Sequence, residues 1–186
     1  MKINILGYAL ITLVLIVIIR IYKDSDQWNL KCIISNKDGK RYCVRERLKL
    51  ELAADRLAEV NMKMEKLVKT VAKKYPNKEN VDRLVKGYNP KKIYETLPTS
   101  EYTAYSENKG EKLAFCLDTE KNNNGKLIED NTLMYVALHE LSHIASVSIG
   151  HNDEFWDNFK FIIIEAKKIQ IYNPIDYKNN NARYCG

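Results

Sequence analysis

Histidine is almost missing from this 186-residue chain, which has three, and the C-x-x-C pairing of cysteines is missing altogether. The four cysteines, Cys32, Cys43, Cys116 and Cys185, stand far apart. That spacing argues against a zinc ribbon and leaves either free thiols, as in a cytosolic domain, or one or two disulfides, with Cys32 and Cys43 placed to close a short loop. No Asn-x-Ser/Thr sequon occurs, in keeping with a domain that does not enter the secretory lumen. No internal repeat is present, which argues against a stacked-repeat architecture. A strong charge of one sign is lacking too. The net charge is +6, but residues 1–23 hold three basic and no acidic side chains, so the remainder carries 27 basic against 24 acidic, or +3. A surplus that small does not mark a polyanion-binding chain.

What is present begins with one apolar run. Ile3 to Ile19 contains no charge, and Arg20 to Tyr22 extend it to the roughly 20 residues that cross a bilayer. The following "RIYKDSDQW" lacks a small-x-small cleavage site, so the segment reads as an uncleaved anchor rather than a signal peptide. Lys2 precedes it, while Arg20, Lys23, Lys31 and Lys37 follow, which favours a cytoplasmic C-terminal domain. The expected organisation is a transmembrane anchor at 1–22, a juxtamembrane linker at 23–44 with a turn signal at "NKDGK" that allows a small hairpin, and one globular domain at 45–186. The chain is long enough for one such core.

Within that domain, Leu50, Ala53, Leu57, Val60, Met64, Leu67 and Val71 recur at alternating intervals of three and four. The spacing predicts a core helix over about 45–74, with a coiled coil as the second reading and Pro76 as its stop. The basic run from Lys63 to Lys74 reads as that helix's solvated face, with an approach to phosphates or lipid headgroups as the alternative. A short helix ending near Gly87 and a loop punctuated by Pro90 and Pro98 follow. "EYTAYS" (101–106) and "EKLAFCL" (111–117), joined by a turn containing Gly110, predict a β-hairpin. Asp130 or Asn131 can cap the next helix, Gly150 can end it, and Asn152 can cap a last helix over 153–170. The expected class is α+β.

All three histidines, His139, His143 and His151, fall inside "VALHELSHIASVSIGHNDEFW", Val136 to Trp156. Residues four apart on a helix share a face, so His139 and His143 can bind one metal ion, and Glu140 beside them occupies the position of a general base. A catalytic zinc site usually has three protein ligands. His151, just past the glycine turn, is the expected third, with Glu154 or Glu165 as the alternative. Composition alone makes a chance H-E-x-x-H match a matter of a few in a thousand, on the order expected for so rare a residue.

"HELSH" followed by "GHNDEFW" resembles the zincin metallopeptidases, particularly the WLM and SprT-like group, and is similar to small predicted zincins of large DNA viruses. The seven residues between His143 and His151 depart from the metzincin pattern of five with a central glycine. The resemblance covers about the last 85 residues, on the order of half a domain. It implies a zincin-like catalytic fold with His139, His143 and His151 as Zn2+ ligands and Glu140 as catalytic base. It further implies a protein or peptide substrate aligned along the strand "EKLAFCL", with Phe155 and Trp156 packed behind the site. Tyr102, Tyr105, Tyr172, Tyr177 and Tyr184 are open candidates for a second oxyanion donor. The expected function is a membrane-anchored zinc metalloendopeptidase in a viral or host-cell membrane. The competing readings are a non-enzymatic membrane-anchored scaffold with a structural zinc, and a protease of DNA-associated proteins.

Overall fold

The computed structural model describes residues 5–23, 30–120, 126–177, 179 and 183–185, apart from the side chains of residues 5, 6, 22 and 23. Helix α1 (Ile5–Lys23) has 19 residues. Four of these, Arg20–Lys23, begin with the first charge, which leaves an uncharged stretch that at 1.5 Å per residue spans about 22 Å, short of the roughly 30 Å of a bilayer's hydrocarbon core. Among the described residues no helix is long and apolar enough to cross a membrane. This overturns the single-pass anchor, and with it the membrane partner, the charge-based orientation and the placement in a viral or host-cell membrane. Residues 1–4 of the anchor expected at 1–22 lie outside the described residues.

The stretch read as a linker contains β1 (Leu30–Ile34) and β2 (Arg41–Arg45), an antiparallel pair in which Cys32 faces Cys43 and is joined to it by a disulfide. A second disulfide links Cys116 to Cys185, so all four cysteines are paired. The sheet has five strands in the order β1-β2-β3-β5-β4. β3 (Ile93–Glu95) is parallel to β2 and β5, while β4 (Ala104–Glu107) and β5 (Lys112–Phe115) form the expected antiparallel hairpin. β4 is therefore an edge strand, with β1 at the opposite edge, and β5 lies inside.

Helix α2 (Leu50–Lys74) packs its apolar stripe on β2 and β3. Ala53, Leu57, Val60, Met64, Leu67 and Val71 are wholly buried, each contributing roughly 1.5–3 kcal/mol for a residue of valine size or larger. The helix begins at Leu50 rather than 45 because Arg45 ends β2, where its N–H donates to Glu95 Oε2 at 2.7 Å. Asn61, buried in α2, donates to Tyr42 Oη at 2.8 Å and to the Pro90 carbonyl at 2.9 Å, and so ties the helix to the first hairpin and to the approach to β3. On α2, Lys66, Lys69, Lys73 and Lys74 are exposed, and Lys74 pairs with Glu165 at 2.8 Å.

Helix α3 (Glu79–Gly87), α4 (Asp130–Ala145) and α5 (Asp153–Lys168) complete the layer, and α4 contacts α2, α3, α5 and β4. At one end of the sheet, Arg45, Arg47, Glu95 and Asp118 form a closed ionic cluster. Arg47 pairs with Glu95 and, at 2.7 Å, with Asp118, and Arg45 Nε donates to the Thr96 carbonyl at 2.6 Å. All four side chains are buried.

Candidate metal centre

Helix α4 carries His139, Glu140 and His143 toward the sheet edge. Its N-cap is Glu129, with no side-chain capping bond, so neither Asp130 nor Asn131 caps it. The Asn131 side chain instead brackets Asn173, accepting from its N–H at 2.9 Å and donating to its carbonyl at 2.8 Å. The helix ends at Ala145, five residues before the expected stop. Ser142 and Ser146 turn their hydroxyls back onto the carbonyls of Leu138 and Ser142, at 2.7 and 2.8 Å, a bonding mode that weakens helix propagation. Ser146 is already extended. Gly150 has φ of +88°, a left-handed conformation that favours glycine, and Asn152 then caps α5 by accepting from the Phe155 N–H at 3.1 Å.

This reversal brings His151 back over the pair on α4. His139 Nε2 lies 3.2 Å from His143 Nε2 and 3.0 Å from His151 Nε2, and ligand atoms of the three rings lie within 4.8 Å of one another. Nitrogens bound at 2.0–2.1 Å to one tetrahedral ion stand about 3.3–3.4 Å apart. The three-histidine group could thus hold a metal ion, and its donor set and spacing fit one. Burial, then the neighbouring imidazoles, pulls His139 down to about 4, and burial with His151 and Lys109 does the same for His143. Both rings are therefore neutral near pH 7, the form that binds metal. Phe155, wholly buried, backs all three rings at centroid distances of 4.8, 4.4 and 4.6 Å. Trp156 does not pack behind the site; it is half exposed beside His151.

Glu140 is 5% exposed and opens on the same cavity as the three rings, about 620 Å³ in volume. Burial alone pushes its carboxyl up to about 7. The opposite wall of that cavity is β4 with its flanks, including Tyr102, Ala104, Tyr105 and Ser106. The strand expected to face a substrate, β5, is enclosed between β3 and β4, so the accessible edge belongs to β4. Of the five tyrosines, Tyr102 and Tyr105 line the cavity. Tyr172 and Tyr177 pack against Tyr135, and the Tyr184 hydroxyl donates to the Thr103 carbonyl at 3.1 Å.

Neither glutamate weighed as a third ligand is placed to be one. Glu154 accepts from the Val147 N–H at 2.9 Å and from the Ser148 N–H and hydroxyl at 3.1 and 2.8 Å, and these bonds hold its carboxyl down at about 2. Glu165 joins α2 to α5 through Lys74, Tyr75 and Lys168. Two residues unmarked by the motif, Arg83 and Lys109, bond the backbone that follows α4, Arg83 Nε donating to the Ala145 carbonyl at 2.8 Å. Lys109, one residue before "ENKG" ends, and Arg83, inside "VDRLVKG", carry no spacing signal that would have revealed either.

No family model matches the chain. Over 94 residues it is 38% identical to uncharacterized protein R325 of Acanthamoeba polyphaga mimivirus, covering 50% of this chain and 47% of the relative. Over 74 residues it is 26% identical to uncharacterized protein 136R of Invertebrate iridescent virus 6, covering 40% of each. The chain thus spans less than half the length of the curated relatives it matches. Among solved structures, a Wss1 mutant from Saccharomyces cerevisiae superposes with a TM-score of 0.51 at 16% identity, over 68% of this chain and 87% of that one. The fold is Wss1-like. At that identity the likeness is one of fold, and it supports the expected mixed α+β architecture.

Proposed function

We infer that the chain is a zinc-dependent metalloendopeptidase. The observation that carries this reading is the convergence of three imidazole nitrogens on one point, beside a buried carboxyl that has no cationic partner among the described residues and across a cavity from an open strand edge. His139, His143 and His151 would hold the ion, which when bound supplies Lewis acidity that lowers the pKa of its water toward about 7. Glu140 takes a proton from the attacking water and delivers it to the leaving amine as the peptide C–N bond breaks. Burial raises this carboxyl toward neutrality in the metal-free chain, and a group poised near working pH serves as base and then as acid. An extended peptide pairs with the free edge of β4, whose backbone groups align the scissile bond over the histidines. A purely structural zinc has no use for Glu140, because such sites are closed by a fourth protein ligand.

The test is Glu140→Gln in the full chain. The variant is expected to keep its zinc and to lose cleavage of a denatured protein substrate by about 10³-fold, within the usual range for general acid–base groups. Cleavage at the parent rate would overturn the mechanism.

A further inference from the structure

The segment between α4 and α5 carries His151, and it is held by two opposite charges reaching in from different elements. Lys109, in the turn of the β4–β5 hairpin, points its Nζ at the carbonyls of His143, Ser146 and Ser148, at 3.3, 3.0 and 2.7 Å. These belong to the last turn of α4 and the residues after it, where helix carbonyls lack intrahelical partners and the dipole favours a cation. Glu154, in the first turn of α5, takes the N–H groups of Val147 and Ser148. Lys109 and Glu154 between them therefore satisfy both kinds of backbone group in a loop that has no secondary structure of its own. Arg83 ties Glu154 to the end of α4, bonding the Ala145 carbonyl at 2.8 Å and Glu154 at 3.3 Å.

The position of Lys109 is itself fixed. Asn108, Lys109 and Gly110 all have positive φ, and the turn is wedged against α3 and α4. A Cβ on Gly110 would stand 2.5 Å from the Gly87 carbonyl oxygen and 2.8 Å from Ile144 Cδ1, while one on Gly87 would stand 2.4 Å from the Lys109 carbonyl oxygen. Two glycines thus let the hairpin turn press onto the end of α4, and the lysine at its tip spans the remaining gap to the loop. Lys109 also lines the histidine cavity.

From this geometry we propose that Lys109 is a positioning residue for the third metal ligand: by tying the sheet edge to the Ser146–Ser148 backbone it sets the loop that presents His151. The inference rests on the reading of the three histidines as a metal site, but not on peptidase activity. Partners one bond removed from the ligands commonly change metal affinity by about 10–100-fold when removed. Its two shorter bonds go to the loop that presents His151 and only the longest, at 3.3 Å, to the backbone of a ligand on α4, so most of its effect should depend on His151 being present.

A double-mutant cycle read by zinc affinity, in competition with a chromophoric chelator, tests this on the full chain. Lys109→Met is expected to weaken zinc binding about tenfold or more with His151 present, and less than about threefold in a His151→Ala background. Lys109→Gln, with a shorter neutral side chain, takes its place in the cycle if the methionine variant does not fold. Equal losses in both backgrounds, or no loss in the first, would overturn the positioning role while leaving the metal site standing. A parent chain that binds no zinc would instead overturn the metal-site reading and this inference with it. Loss of cleavage with an intact cycle touches only the proposed peptidase chemistry.

Discussion

Two of the places where the molecule buries carboxyl groups treat them in opposite ways. At one end of the sheet Glu95 and Asp118 are enclosed with Arg45 and Arg47; burial pushes both carboxyls up, and the two guanidinium groups draw them back. At the histidine cluster Glu140 is nearly as enclosed, and burial acts on it unopposed. The first arrangement is closed: four charges sum to zero, the two guanidinium groups pair with the two carboxylates, and none of the four lines the histidine cavity. The second is open on a cavity, with a carboxyl whose proton equilibrium sits near neutrality. Buried charge that is matched holds a fold in register, whereas buried charge left unmatched beside ligating groups is the signature of a reactive site.

The sharpest way to break this comparison is to make the closed cluster resemble the open one. Arg47→Met leaves Glu95 and Asp118 with one guanidinium between them, and is expected to cost about 3–5 kcal/mol in a denaturant titration. A loss below about 1 kcal/mol would show that the cluster is not the matched set described here.

The converse change should stabilise. The pKa of Glu140 is about 7 in the folded chain against 4.5 for the free group, so its contribution to stability is present below pH 4.5 and is lost as pH rises through 7. In metal-free protein at pH 8, Glu140→Gln should therefore gain on the order of 3 kcal/mol over the parent, an advantage that fades as pH falls from 7 to 4.5. Thermal unfolding at pH 4 and pH 8 measures it, and a variant less stable than the parent at pH 8 would contradict the unmatched state of Glu140.

The smallest effect is expected at Tyr184, which stands between the two regions and interacts electrostatically with Glu140, Arg45 and Glu95. The Cys116–Cys185 disulfide holds it there, and its hydroxyl is bonded to the Thr103 carbonyl. Tyr184→Phe should cost about 1 kcal/mol, the worth of one hydrogen bond, and change cleavage less than about threefold. A large loss of cleavage without loss of stability would instead make Tyr184 part of the reacting group and join the two regions functionally.

How much of this was legible in the sequence follows from how local each feature is. His139, Glu140 and His143 share one helical turn, and Gly150 and Asn152 are local turn and cap signals, so their grouping with His151 could be anticipated. The stripe of α2 could be read from its period alone. The ionic cluster could not, because Arg45, Arg47, Glu95 and Asp118 meet only after three strands assemble. The three residues of β3, flanked by Pro90 and Pro98, carry no periodicity, and without β3 nothing in the sequence shows that β5 is enclosed and β4 is the edge. The pairing of Cys116 with Cys185, 69 residues apart, is long-range in the same way. The apolar N-terminal run misled because hydropathy counts residues, whereas the helix places its first charge too early for the uncharged part to span a bilayer.

In the proposed site His139, His143 and His151 bind one metal ion and leave a position free for a substrate or water. X-ray absorption at the zinc edge of the purified full chain, loaded with one equivalent of zinc, reads this out. Three imidazole nitrogens are expected at about 2.0–2.1 Å with one further exchangeable light-atom ligand, and two imidazoles in the His151→Ala variant. A closed site with four protein ligands, sulfur in the coordination shell, or a spectrum unchanged by His151→Ala would contradict it.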